Sequence, residues 1–287
     1  MTNLTWRTWV RASRAWSTSA RSVAKLTDFC AGNFWGLQQR IFDLLLGVST
    51  RGIIASTGDG MFYAGGYNCP YQDCQWLSVR RALKDLDPGT SDVFVDLGSG
   101  KGKALLIAGQ LPYGRVVGVE MNKELSCCAE QNINRARSRL RAGEVECLTA
   151  NVLEWSIPDD SSVIFMFNPF IGQTFSTVVS RIIESYDRNP RSLHIIYGHP
   201  WEHDKLLRTG RVVVNSVRSN TSPPRRRWWQ GGDVIVSYEV VGSATQGQLE
   251  QRKYHRASRP SRAFRRWSVP NGHNFDMSIP RSDELCT

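Results

Sequence analysis

The sequence predicts an α/β fold in which a mostly parallel β-sheet is covered by helices on both faces. From residue 92 onward, short apolar segments alternate with longer amphipathic ones, which is the order that a doubly wound sheet requires. The segment 93–102 is an apolar strand that runs into an acid and then into a glycine-rich turn. The next strand, 115–120, also ends on a carboxylate. Acidic residues at the ends of two successive parallel strands predict a ligand site at the carboxyl edge of the sheet.

Residues 1–33 form a basic, amphipathic amino-terminal segment. At helical spacing Trp6, Trp9 and Trp16 share one face, and a stripe of arginines lies beside them. Three interpretations of residues 1–28 stay open. The segment is an accessory helix that packs on the domain, a helix that lies on an anionic membrane surface, or an organelle transit peptide.

Residues 34–90 are predicted to be a helical lead-in to the sheet. The apolar periodicity of 34–46 predicts a helix that Gly47 ends, and a second helix is predicted over 75–86. The glycine-rich stretch between the two helices predicts a loop.

The domain proper is predicted over 91–242, with seven strands and three further helices. The strands are predicted at 93–97, 115–120, 144–149, 163–168, 191–198, 212–217 and 233–240. The helices are predicted at 102–111, 123–141 and 173–187. The remaining residues, 243–287, are polar and Arg-rich without a sustained period, and they are predicted to be a disordered tail.

The net charge of +10 is concentrated at the two ends of the chain. Residues 1–40 carry six Arg and Lys against one acid, and residues 243–287 carry eight against four. The intervening segment is close to neutral, which weakens the case for a nucleic-acid groove in the domain itself. No apolar run approaches the roughly 20 residues that span a bilayer. The seven cysteines lack Cys-x-x-Cys spacing and are expected to be reduced thiols in a cytoplasmic protein.

The spacing of the glycines in the glycine-rich turn distinguishes between the nucleotide-binding motifs that the sequence could contain. The spacing is Gly-x-Gly-x-Gly at Gly98, Gly100 and Gly102, with Asp96 two residues ahead. A P-loop needs four residues between two glycines, and the dinucleotide fingerprint is Gly-x-Gly-x-x-Gly. The pattern present here resembles that of the class I S-adenosylmethionine (SAM) methyltransferases. The resemblance implies a Rossmann-like, doubly wound sheet of seven strands and S-adenosyl-L-methionine as cofactor.

The same resemblance implies a set of cofactor-binding residues. Asp96 would orient the methionine end of SAM, and Glu120 would hold the ribose. The floor beneath the cofactor would be formed by Gly98, Ser99, Gly100 and Gly102. Asn151 follows the third strand, where the family often has an acid that binds the adenine amino group. Tyr67, with Tyr71, is a candidate for a lid over the cofactor or for an ordinary loop aromatic.

The catalytic edge is predicted at Asn168, Pro169, Phe170 and Ile171, directly after the fourth strand. Methyltransferases that act on amino groups carry Asn/Asp-Pro-Pro-Tyr/Phe there, so Phe170 and Ile171 depart from that pattern. The motifs around Asp96 and Asn168 are also similar to those of the non-SET histone-lysine methyltransferases. A nitrogen acceptor is therefore expected, either an amine of a protein lysine or of a small metabolite. A nucleic-acid base, or SAM binding without catalysis, is the alternative.

Two further features have both a functional and an ordinary interpretation. His199 follows the fifth strand, and it is either a catalytic base or a solvated histidine. The loop 223–229 sets three arginines beside two tryptophans, and it either receives an acidic, phosphorylated or aromatic substrate or is a solvated hairpin tip. No group of residues has the spacing of metal ligands, so no metal is expected.

Overall fold

The computed structural model describes residues 36–54, 62–63, 66–68, 71–72, 74–219 and 234–243. The amphipathic segment 1–28, the loop 223–229 and the tail beyond residue 243 lie outside the described residues. The predictions made for these three segments are therefore not tested by the structure.

A seven-stranded sheet forms the centre of the domain, as the sequence predicts. Its strands are β5 (Val93–Leu97), β6 (Arg115–Glu120), β7 (Glu144–Thr149), β8 (Val163–Phe167), β10 (His194–Gly198), β11 (Val212–Ser219) and β12 (Val234–Val240). The order is β11-β12-β10-β8-β5-β6-β7, in which β10 through β7 are parallel and β12 runs antiparallel to both of its neighbours. This is the doubly wound arrangement extended by an antiparallel hairpin, and it confirms the predicted fold class.

Helices cover both faces of this sheet. They are α1 (36–46), α2 (Trp76–Lys84), α3 (Lys103–Gly109), α4 (Lys123–Ala136), α5 (Gly172–Arg188) and α6 (His203–Arg208). Consecutive residues of β5 point to opposite faces, so that Phe94 packs in one hydrophobic cluster and Val95 in the other. The first cluster contains residues of α1 to α4, and the second contains residues of α5 and α6.

Several short strands were not predicted. A two-stranded sheet pairs β1 (Ile53–Ile54) with β4 (Tyr71–Gln72), and a three-stranded sheet contains β2 (Phe62–Tyr63), β3 (Gly66–Asn68) and β9 (Phe170–Ile171). Strands of two or three residues carry no measurable alternation of apolar and polar residues, and their partners are distant in sequence. The pairing of β3 with β9 joins the lead-in segment to the turn that follows β8.

Two element boundaries differ from those predicted by three residues or more, and several others by one or two. The helix expected to reach residue 141 ends at Ala136 and continues as a 3₁₀ turn, Arg137–Arg139. The strand expected from residue 191 begins at His194, because His194 is the residue that pairs with Val163, the first residue of β8. Among the described residues, no helix is both long enough and apolar enough to cross a bilayer.

Candidate functional site

The glycine-rich turn begins where β5 ends and is fastened to the neighbouring strand. Gly98 has φ +83°, a conformation that L-residues with a side chain rarely adopt. The backbone N–H groups of Gly98 and Ser99 both donate to the carbonyl of Val119, at 2.8 and 3.2 Å. The turn closes with a bond from the N–H of Gly102 to the carbonyl of Ser99, and α3 begins at the following residue. The first amides of α3 consequently face the carboxyl edge of the sheet.

Asp96 is a buried carboxylate just before this turn. Only 3% of the residue is exposed, and within the described part of the chain no donor hydrogen-bonds to its side chain. Burial raises the pKa of Asp96 well above its usual value, and the nearby Glu120 raises it further. A buried acceptor without a donor is costly, so Asp96 suits a ligand that brings its own N–H groups, such as the amino group of SAM.

Glu120 lies at the carboxyl end of β6, beside the same turn. One carboxylate oxygen accepts the N–H of Gly100 and the other accepts the N–H of Asn122, both at 2.8 Å. Burial raises the pKa of Glu120, and these two N–H groups oppose the increase. Each oxygen keeps a further lone pair, so the fixed carboxylate can also accept hydrogen bonds from ribose hydroxyls.

The other predicted cofactor residues occupy the same edge. Asn151 follows β7, where its side-chain oxygen accepts the N–H of Leu153 at 3.0 Å and its amide donates to Glu154 at 3.1 Å. Its contact with adenine stays a prediction. Tyr67 lies in β3 with its backbone opposite Ile171 of β9, and its role as a lid also stays a prediction.

Gly102 has a packing role in addition to its place in the turn. A Cβ there would stand 3.0 Å from the Cβ of Ala129 in α4. The missing side chain therefore lets α3 and α4 approach closely, which fixes the start of α3 below the turn.

The predicted acceptor turn lies directly against the glycine turn. Asn168 follows β8 with φ +47°, and its side-chain oxygen accepts the hydroxyl of Tyr197 at 3.3 Å. A Cβ on Gly98 would stand only 2.4 Å from the Cβ of Pro169. Gly98 and Pro169 are 71 residues apart in the sequence, and the two turns are thus in van der Waals contact, which brings the predicted cofactor residues and the predicted acceptor residues together.

Phe170 and His199 differ in their surroundings. Phe170 is 3% exposed and packs in the hydrophobic cluster on the α5 face, so its ring belongs to the core. His199 has φ +46°, and its ring centre lies 4.9 Å from that of Phe167. Left-handed conformations at Asn168 and His199, next to the ends of two adjacent strands, are strained backbone of the kind that clusters at functional sites.

Sequence reasoning assigned no role to Tyr197, Glu202 or Lys103. Tyr197 is fully buried, stacks on Phe175 at 5.5 Å and holds Asn168. Glu202 accepts the N–H of Gly172 at 2.6 Å, so it fixes the other end of the acceptor turn. The only sequence signal is position: Tyr197 lies near the end of β10, and Glu202 follows that strand shortly afterwards.

Lys103, the first residue of α3, is only 2% exposed. Its ammonium group bonds to the side-chain oxygen of Gln39 and lies 5.2 Å from the centre of the Phe42 ring. It also lines a small cavity beside the glycine turn. The residues around this cavity are Gln72, Cys74, Asp96, Gly98, Ser99, Lys103, Ala104, Phe165 and Phe167. Charged lysines are rarely buried, so no sequence signal indicated that Lys103 would be.

The lead-in segment is fastened to the site by a buried asparagine. The side chain of Asn132 in α4 accepts the N–H of Ser49 and donates to the carbonyls of Ser49 and Lys101, all at 3.0–3.1 Å. Among the described residues there is no group of three or more His, Cys, Asp or Glu that could hold a metal ion.

Comparisons with known proteins give one family match. Residues 61–183 match the model of the family described as histone methylation protein DOT1, somewhat less than half of the chain. A search of curated protein sequences gives no match.

Solved structures with a similar fold include three methyltransferases. An RNA methyltransferase from Salinibacter ruber with S-adenosyl-L-homocysteine is 18% identical, with 59% of this chain and 94% of that chain covered and a TM-score of 0.41. Magnesium protoporphyrin IX methyltransferase from Synechocystis PCC 6803 with bound SAM is 12% identical, at 57% and 79% coverage and a TM-score of 0.42. A TehB-like SAM-dependent methyltransferase from Corynebacterium glutamicum is 12% identical, at 60% and 90% coverage and a TM-score of 0.43.

The family match extends from just before β2 into α5, so it includes the glycine turn, both carboxylates and the turn after β8. These are the parts that the sequence predicts to bind cofactor and acceptor, and the sheet that positions them has the strand order described above. The chain is therefore a class I SAM-dependent methyltransferase, and its cofactor is S-adenosyl-L-methionine.

Proposed function

We propose that the enzyme transfers a methyl group to a nitrogen atom, the amine of a protein lysine or of a small metabolite. The observation that carries the proposal is the contact between the two turns. Pro169 packs on Gly98, so the adjacent Asn168 stands next to the backbone that would lie beneath the cofactor. An amide side chain at this position offers an acceptor for the N–H groups of an amine.

SAM supplies an already activated methyl group, so the protein must chiefly align the acceptor and remove a proton. Asp96 would hold the methionine end of the bound cofactor and Glu120 its ribose, and the glycine turn would let the cofactor approach without side chains in the way. Asn168 would accept one N–H of the amine, which aims the nitrogen lone pair. Tyr197 donates to the same oxygen and thereby fixes the orientation of the amide.

An amine must be neutral when it attacks, so a proton has to leave the ammonium form. His199 lies at the end of the neighbouring strand β10, and we propose it as the group that takes this proton. Glu202 is already bonded to Gly172 and Lys205, so it is better suited to holding the acceptor turn than to proton transfer.

Methylation of a nucleic-acid base has less support from the described residues. Base stacking would need an exposed aromatic side chain in the acceptor turn, but Phe170 is in the core and residue 171 is an isoleucine. The Arg-Trp loop 223–229, which motivated this alternative, lies outside the described residues. The amine remains the acceptor class that the geometry of Asn168 supports best.

The test compares the full-length protein with Asn168→Gly in assays with methyl-labelled SAM. Glycine keeps φ near +47° without strain and removes only the amide. We expect kcat to fall by about 10²-fold or more, the scale of lost positioning, with little change in the Kd for SAM. Asn189→Gly is the control, because Asn189 lies beyond α5 and donates to the carbonyl of Asp159.

The acceptor panel contains lysine-bearing peptides, small amines, RNA and DNA. Labelling of an amine by the parent and not by Asn168→Gly supports the proposal. Labelling of RNA or DNA alone contradicts the acceptor class, and equal turnover of Asn168→Gly and the parent contradicts the assignment of the catalytic edge.

A further inference from the structure

The outward face of α1 is unusually apolar. The aliphatic residues on this face and their exposed fractions are Leu37 (54%), Ile41 (40%), Leu44 (83%) and Leu45 (55%). At the helical rotation of about 100° per residue, these four side chains and the exposed Arg40 share one side of the helix. We call these five residues the α1 face.

The inward side of α1 carries two buried polar residues beside the core residues Phe42 and Leu46. Gln39 is 2% exposed, donates to the carbonyl of Cys74 at 2.8 Å and accepts from Lys103. Asp43 is 6% exposed and accepts hydrogen bonds from Thr50 and Arg51. The usual amphipathic order is thus partly inverted, since polar groups are buried and paired while aliphatic groups point outward. Contiguous exposed apolar surface of this kind marks an interaction site.

Cationic groups border the α1 face. A shallow depression beside Leu44 is lined by both Arg40 and Arg51. Arg51 is 49% exposed and uses its Nε atom to contact Asp43. The ammonium group of Lys101 donates to the backbone carbonyl of Arg51 at 3.0 Å, which adds a third cation at this edge.

We propose that the α1 face docks on the surface of an anionic lipid bilayer. The aliphatic side chains would enter the interfacial region, and the neighbouring cations would contact lipid phosphates, as amphipathic interfacial helices do. The preceding sequence has the matching composition. Residues 1–35 hold five Arg and Lys, one acid and four tryptophans.

Other occupants fit the charges less well. In a symmetric dimer, the same patch on each copy meets itself, so Arg40 and its neighbouring cations would face like charges. Nucleic acid would match the cations, but it would leave the aliphatic side chains Leu44 and Leu45 in water. An anionic bilayer satisfies both the charges and the aliphatic residues.

The test is co-sedimentation of the full-length protein with vesicles of phosphatidylcholine alone and of phosphatidylcholine mixed with phosphatidylglycerol. The variant Leu44→Ser/Leu45→Ser removes the most exposed part of the face. We expect its partition coefficient on anionic vesicles to fall more than about tenfold, since two aliphatic groups no longer leave water. Arg40→Gln should weaken binding by about fivefold, the effect of one basic residue near an anionic surface.

The matched control is Leu207→Ser/Val217→Ser, which changes two exposed aliphatic residues of α6 and β11. It should bind like the parent, and circular dichroism verifies that all variants are folded. Equal binding by the parent and Leu44→Ser/Leu45→Ser would overturn the proposal. The proposal would also be overturned if the parent did not bind vesicles, or if it dimerised in a concentration-dependent way and Leu44→Ser/Leu45→Ser abolished that dimerisation. The readout is binding alone, so it is independent of the methyl acceptor.

Discussion

Replacing Gly98 by alanine should separate the glycine turn from the acceptor turn. The new residue would have to keep φ near +83°, which costs an L-residue about 1–2 kcal/mol. Its Cβ would stand 2.4 Å from the Cβ of Pro169. Carbon atoms prefer separations of about 3.5–4.0 Å, so the two turns must move apart by about 1 Å. Overpacking of this kind costs about 1–3 kcal/mol, so the free energy of unfolding should fall by about 2–5 kcal/mol.

The same displacement should impair catalysis beyond its effect on stability. A misplacement of about 1 Å between reacting groups can lower kcat by about 10²-fold. Urea unfolding gives the change in stability, and turnover of methyl-labelled SAM at saturating cofactor gives kcat. Gly210→Ala is the matched control, since Gly210 has φ +66° but nothing lies within 4 Å of the Cβ it would gain. It should cost only the conformational strain of about 1–2 kcal/mol and leave kcat unchanged.

A double-mutant cycle with Pro169→Gly isolates the contact between the turns. Glycine at 169 removes the Cβ that the new methyl group would meet, so Gly98→Ala should be less destabilising in that background. The reasoning is refuted if Gly98→Ala and Gly210→Ala destabilise the protein equally, or if Pro169→Gly leaves the cost of Gly98→Ala unchanged.

Three further substitutions test single contacts of the site. Asp96→Asn should weaken SAM binding in calorimetry but raise the urea midpoint at neutral pH, because the raised pKa of Asp96 means that folding disfavours its charged form. The free energy of unfolding of the parent should therefore fall as the pH rises from the unfolded-state pKa of Asp96 to its folded-state pKa. If Asp96→Asn shows the same fall, the reasoning is contradicted. Tyr197→Phe should lower kcat by about tenfold, the value of one hydrogen bond to Asn168, with an unchanged Kd for SAM; a change in Kd alone would indicate a merely structural role. Asn132→Ala leaves the backbone of Ser49 without its partners, so thermal unfolding should show a loss of about 1–3 kcal/mol, and an unchanged Tm would contradict it.

The sequence predicts the bounds of three strands of the large sheet to the residue, although only one of them, β5, is buried throughout. β5, β6 and β7 begin and end at the predicted residues, 93–97, 115–120 and 144–149. In β5 all five residues are buried, and the strand is apolar except at Asp96 and ends sharply at a glycine. Burial on both faces makes the sequence pattern strong and its limits clear. α6 has six residues, fewer than two turns, and was missed because a helical period cannot show itself over that length.

The sequence by itself determined the doubly wound sheet, the glycine turn and the placement of Asp96 and Glu120 at one edge. These features depend on local runs and on the rule that parallel strands end together. The packing of Pro169 on Gly98, the bond from Tyr197 to Asn168 and the outward aliphatic face of α1 were decided only by the tertiary structure. Each of these features depends on which distant segments come into contact, and a local pattern of residues does not determine those contacts.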